Sequence, residues 1–267
     1  MWKALRSVGL ATLTIAAALA LSGGPVVAAP SGSAPRSYTC TGGDFATGNL
    51  VDIPSGNYAN LVVTGACDVP DGATITAWNV FIAPGAALDA QSAPSTITVG
   101  HDVIAGPGAL LGLGCQPPSY TGNSGHQCTV DPNGHSTVAI NGNIIALGAD
   151  TVLLNGITVD RNVTLIGGGG TIPWSIKNDM IGGNLTVGGV TADWLGVLFN
   201  HIGGNATLIK VTATDPGDPG RLVFVVRNTI GRNLICFGLV PGVSGGLFPG
   251  EVNVVGQHAI GQCATLV

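Results

Sequence analysis

The chain has 267 residues, of which 9% are charged, 5% are aromatic and 43 are glycine. So much glycine argues against a helical bundle, and a chain this apolar, with mean hydropathy +0.46, is not a disordered one. Nine Lys and Arg against 14 Asp and Glu leave too few cations to neutralise many phosphates, which excludes nucleic acid and anionic membranes as expected partners.

Residues 1–29 predict a secretory signal peptide. Lys3 and Arg6 form a basic start, Val8 to Leu21 an apolar run, and Val27-Ala28-Ala29 offers small residues at a cleavage site. The apolar run is shorter than the ~20 residues that span a bilayer, and no membrane span is expected in the mature chain. The expected location is secreted, extracellular. All the acidic residues but Glu251 are Asp, a bias that suits turns and needs no metal; neither a metal nor a cofactor is expected.

Residues 30–45 are taken as an N-terminal segment and 46–267 as one repetitive domain. The six cysteines of the mature chain predict disulfides in an oxidising compartment. Proximity in sequence suggests Cys40–Cys67, Cys115–Cys128 and Cys236–Cys263. A rival grouping, Cys115, His126, Cys128 and His135 around zinc, lacks the usual ligand spacing.

A phrase recurs along the chain: Ile181-Gly182-Gly183-Asn184-Leu185, Ile202-Gly203-Gly204-Asn205-Ala206 and Ile230-Gly231-Arg232-Asn233-Leu234. Looser copies place a polar anchor at Asn60, Asn79, Asp102, Asn143, Asn162 and His258. Most anchors lie 19 to 28 residues apart, enough for two or three short strands per turn of a solenoid at ~3.3 Å per residue. The expected fold is all-β, a right-handed parallel β-helix of about nine coils. Stacking at ~4.8 Å would align Asn143, Asn162, Asn184, Asn205 and Asn233 in a hydrogen-bonded ladder. A second polar column, Asn200, Asn228 and Asn253, lies five residues before its anchors.

Residues one and three past each anchor, such as Leu185 and Val187, are expected inside, with Thr186 and Thr207 outside. In the first coils the outward position holds Val62, Phe81, Ile104 and Ile145. That apolar stripe is either covered by a loop, the preferred expectation, or a contact surface. The interval between Asp102 and Asn143 holds no clean anchor, and residues 112–137 read as an inserted loop closed by a disulfide.

The Asn-x-Ile-Gly-x-Asn rungs, Asn200 to Asn205 and Asn228 to Asn233, and the closing Gly261-Gln262-Cys263 resemble secreted β-helix repeat proteins of high-GC Gram-positive bacteria. That group is largely without assigned function. The resemblance implies a right-handed parallel β-helix, shared more distantly with pectate-lyase-like enzymes, and a shared fold does not transfer activity.

Chemistry is only faintly marked. The best mixed cluster is Lys177 and Asp179 near His201, weak candidates for catalysis. Arg161 and Arg232 share a column three coils apart, about 14 Å, and do not converge. Gly242-Val243-Ser244-Gly245-Gly246 matches a nucleophile-elbow pattern but lacks the helix that must follow. Trp174 and Trp194, on neighbouring coils, are candidates either for a sugar-stacking platform or for packing. Two functions follow. The first is an exported non-catalytic scaffold or surface-interaction protein, with a cell-surface polysaccharide or protein as partner. The alternative is a carbohydrate-active lyase or hydrolase on an extracellular polysaccharide.

Overall fold

The computed structural model describes residues 34–215, 223–246 and 252–267, and the compact unit is Pro35–Val267. The expected signal peptide therefore lies outside the described residues. Within the unit nearly every element is a short strand paired in parallel with the strand one coil away, in sheets of 17, nine and two strands. Each coil has three sides. In the coil of Asn184 the chain runs through Trp174–Lys177, then Met180–Ile181, then Leu185–Gly188. We call the sides carrying Met180, Leu185 and Trp174 the first, second and third.

The result is a parallel β-solenoid of about ten coils with almost no helix, one coil more than the anchors predict. The additional rung is Arg36–Cys40, which pairs with Gly56–Val63, so the sheet begins within the segment expected to precede it. Its anchor is not an amide. Ser37 stands in the column instead, and its hydroxyl accepts from Asn60 Nδ2 at 3.3 Å.

Strand alternation builds the core. Leu185, Val187, Ala206, Leu208 and Leu234 are fully buried, while Thr186, Thr207 and Ile235 between them face outward. Parallel register then stacks like on like, Ile181 beside Ile202 beside Ile230, so each coil meets side chains of its own shape in the next. The corner between third and first sides needs a left-handed residue. Gly114 and Gly156 supply it in earlier coils, and Asn178, Phe199 and Arg227 adopt φ of 59, 59 and 52° in later ones.

Two polar columns run up the corners. In the outer one each side-chain amide donates to the carbonyl of the coil before: Asn162 to Asn143 at 3.2 Å, Asn184 to Asn162 and Asn205 to Asn184 at 3.1 Å, and Asn233 to Asn205 at 2.9 Å. The inner column is buried and runs in the opposite sense, each amide donating to the carbonyl of the coil after, Asn200 Nδ2 to Asn228 at 3.0 Å and Asn228 Nδ2 to Asn253 at 2.9 Å. Each inner amide donates its second hydrogen to a strand carbonyl, that of Ile176, Val197 or Val225. Stacked amides thus satisfy corner groups that would otherwise be orphaned by the turn.

Disulfides join Cys40 to Cys67, Cys115 to Cys128 and Cys236 to Cys263, with Cα separations of 6.5, 5.0 and 5.4 Å. Strand register sets Cys236 beside Gly261, two residues short of Cys263. A 3-10 turn, Gln262–Thr265, folds the chain back and closes that gap. Cys115 and Cys128 are bound to each other, and His135 stacks on Tyr120 at 4.3 Å, so the zinc grouping is not assembled.

The inserted loop does not cover the apolar stripe. It packs on the other sides: Gln116 Nε2 donates to Gly156 O at 3.0 Å, Asn123 and Asn178 exchange two side-chain bonds, and Lys177 Nζ donates to Gly125 O at 2.8 Å. Val62, Phe81, Ile104 and Ile145 are half-buried by their own sheet neighbours. The preference for loop cover is thereby corrected, because the loop's polar anchors all lie on residues of the third side and its adjoining corner.

Candidate functional site

Of the three weak catalytic candidates, only one opens on solvent. His201 is exposed on the first side, level with Met180 and Thr229. Lys177 is turned toward the inserted loop, where burial draws its ammonium below the usual lysine range. His126, in the same loop, is likewise lowered, first by burial and then by the Lys177 charge. Asp179 is 1% exposed and stands in the inner polar column. The three do not converge. Asn178, at its left-handed φ, turns the chain between Lys177 and Asp179 and sends the two side chains to different places.

Lys177 instead holds the loop. Its bond to Gly125 is a charge-assisted one from a half-buried group. Lys177→Met should leave the solenoid folded, cost about 1–2 kcal/mol, and raise the rate of limited proteolysis within residues 117–134 several-fold. Unchanged loop cleavage would show that Cys115–Cys128 and the Gln116 and Asn123 contacts hold it without Lys177.

The most organised surface chemistry lies where the outer ladder breaks. Asp102 occupies an anchor position and accepts from Asn143 N and Nδ2 at 2.7 and 3.0 Å. Its backbone N–H reaches the preceding carbonyl, Asn79 Oδ1, at 3.4 Å, but unlike an Asn it has no side-chain amide to offer there. His101 fills that gap: its Nδ1 lies 3.0 Å from Asp102 Oδ2 and 3.2 Å from Asn79 Oδ1. Both neighbours are acceptors, so Nδ1 carries the proton and, in the neutral ring, Nε2 is left as a free acceptor. The ring is fixed in place and stacks on Trp78, centroids 5.7 Å apart and planes 15° from parallel.

Trp78 is 59% exposed. It is able to lie flat because residue 100 is glycine; a Cβ there would come within 2.8 Å of Trp78 Cε3. The two rings form a shelf beside a groove of about 530 Å³ lined by Asn57, Tyr58, Thr76 and Thr98. Further along the same side lie cavities of about 390 and 270 Å³. The first runs between Tyr120 of the inserted loop and Thr137, Thr158 and Met180; the second includes Asp160, Met180 and His201. Register aligns the floor as one column, Thr76, Thr98, Ala139, Thr158, Met180 and His201. The three cavities therefore follow one side of the solenoid for about 24 Å at ~4.8 Å per coil.

Of the two readings open for Trp174 and Trp194, platform or packing, the structure shows packing. Trp174 is fully buried, with Nε1 donating to Asp150 O at 2.9 Å, and Trp194 is half-buried, edge-on to Phe224. Both are packing residues. Trp78 had a signal of its own: it directly precedes an anchor, the corner position that is exposed at Arg161 and Arg232. Ser244 lies on a two-residue strand, Val243–Ser244, its Oγ bonded to Gly246, and residues 247–251, where a nucleophile-elbow helix would begin, lie outside the described residues. Among the described residues no helix is long and apolar enough to cross a membrane. Comparison with protein-family models, with curated proteins and with solved structures finds no match to this chain.

Proposed function

We propose that this is an exported, non-catalytic β-solenoid that binds an extracellular polysaccharide along its first side. The observation that carries the proposal is the groove itself, floored by threonine hydroxyls and bounded by aromatic rings at Trp78 and Tyr120. Sugar rings present apolar C–H faces and hydroxyl edges together. Flat aromatic faces beside fixed hydroxyls and amides match that mixture. A run of cavities along the stacking axis suits a polymer more than a small molecule. Export is supported by the basic and apolar N-terminal pattern and by three disulfides. A binding role is favoured over catalysis because Lys177 holds a loop and Asp179 completes a buried ladder.

The test is affinity electrophoresis of the secreted protein through gels containing neutral and acidic polysaccharides. Wild type should be retarded by at least one neutral polymer, and Trp78→Ala should weaken that retardation tenfold or more, about 1.4 kcal/mol, with an unchanged melting temperature. Free mobility in every polymer would overturn the proposal. Release of reducing ends or unsaturated sugars, abolished in Trp78→Ala, would move the protein to the enzymatic alternative.

A further inference from the structure

The second side carries a feature that polysaccharide binding does not use. Val62, Phe81, Ile104 and Ile145 continue in register through Thr164, Thr186 and Thr207 to Ile235 and Ile260. Two residues along, a parallel column runs Leu147, Ile166, Gly188, Ile209, Phe237. Leu147, Ile166, Ile209, Phe237 and Ile260 keep 50, 41, 38, 48 and 40% of their surface exposed. No residue in either column is charged.

We infer that this side is the interface of a homodimer, in which two copies pack their second sides face to face. Three observations select a second copy. The first is shape. The surface is corrugated once per coil, every ~4.8 Å, and the surface that matches such a corrugation row for row is another parallel stack of the same pitch. The second is charge: two columns without a charged side chain, bordered by the single Lys210 at the corner after Ile209, offer little to an ionic partner and meet little repulsion from a copy of themselves. The third is area. The nine-rung column and the five-rung column cover about 38 Å by 7 Å and about 19 Å by 7 Å. A pair would bury on the order of 800–1,000 Å² in total, below the ~1,200–2,000 Å² of standard specific interfaces and in the range of a weak, reversible one.

A two-fold axis makes the contact self-complementary and closed, so it ends at two copies. Sheets packed in this way lie ~10 Å apart, which brings the ends of the Ile and Phe side chains into contact. The first side, with its groove, stays open in both copies.

Sedimentation of the secreted protein over a range of concentrations tests this. Wild type should sediment as a dimer, and Ile166→Lys should raise the dissociation constant 100-fold or more with no loss of circular dichroism signal. Ile209→Ser, a gentler change in the same column, should raise it by a smaller factor. Thr191→Lys, exposed and outside both columns, should leave it unchanged. A monomer at the highest soluble concentration of wild type overturns the inference. So does a dimer indifferent to both Ile166→Lys and Ile209→Ser. Monomeric protein that floats with phosphatidylcholine vesicles, and ceases to do so as Ile166→Lys, would assign the face to a lipid surface instead.

Discussion

Asp179→Asn should stabilise the protein at neutral and alkaline pH and remove a pH dependence that the wild type carries. Asp179 lies five residues before its anchor Asn184, the same offset as Asn200, Asn228 and Asn253 from theirs. It is the inner column's one acid. Its Oδ1 accepts from Ile157 N at 2.9 Å, and its own N–H donates to Asn200 Oδ1 at 2.9 Å. Its buried Oδ2 has no partner. In the coils above, that position is an amide nitrogen donating to a strand carbonyl and to the next side-chain carbonyl. Leu154 stands beside Ile176 in the register, so an amide at 179 would find the equivalent strand carbonyl to donate to, as Asn200 does to Ile176 O.

Burial pushes the Asp179 carboxyl up to about 8, against backbone hydrogen bonds that pull it down. The sign follows. Between the unfolded value near ~4 and the folded value, the native state binds more protons than the unfolded one, so stability falls as pH rises. The loss is complete above the folded value and on the order of 5 kcal/mol. An Asn at 179 donates and accepts where the column requires it at every pH. It should gain about 2–4 kcal/mol at pH 8 and little at pH 4. Chemical denaturation of both proteins at pH 4, 6 and 8 checks this; parallel stability curves would mean that Asp179 ionises in place without penalty.

The solenoid was legible because one residue type at one corner repeats the same hydrogen-bonding task. Asn184, Asn205 and Asn233 announce their coils, whereas Ser37 performs the task with a hydroxyl and leaves its coil hidden. Side-chain direction was harder to read. Lys177, Asp179 and His201 are close along the chain or across one coil, but a corner separates the first two and strand alternation turns Asp179 inward and His201 outward. Trp78 was overlooked for a related reason. Whether an aromatic packs or protrudes depends on its distance from the anchor, and Asn79 stands in a continuous strand, Thr74–Ile82, where no Gly-Gly turn marks the corner. The break at Asp102 had a visible signature, His101-Asp102 in place of Gly-Asn, whose meaning rests on a contact to Asn79 one coil away.

The two columns should differ sharply when a rung is removed. Asn228 is 1% exposed. Its Nδ2 donates to Asn253 Oδ1 at 2.9 Å and to Val197 O at 2.8 Å, and its Oδ1 accepts from Asn200 N at 2.9 Å and Nδ2 at 3.0 Å. Leucine has a similar volume, so Asn228→Leu opens little cavity. It strips partners from the Asn200 donors and the Val197 carbonyl where water cannot replace them, at a cost of roughly 3–5 kcal/mol. Asn205 makes the same kind of contacts, to Asn184 and Asn233, but is only half-buried at the corner. Water can take over part of its role, so Asn205→Leu should cost about 1–2 kcal/mol. Guanidinium unfolding of both variants at one pH, with equal m-values, measures the difference. If Asn205→Leu proves as costly as Asn228→Leu, burial is not what sets the worth of a rung, and the ladders stabilise chiefly by fixing the register of successive coils.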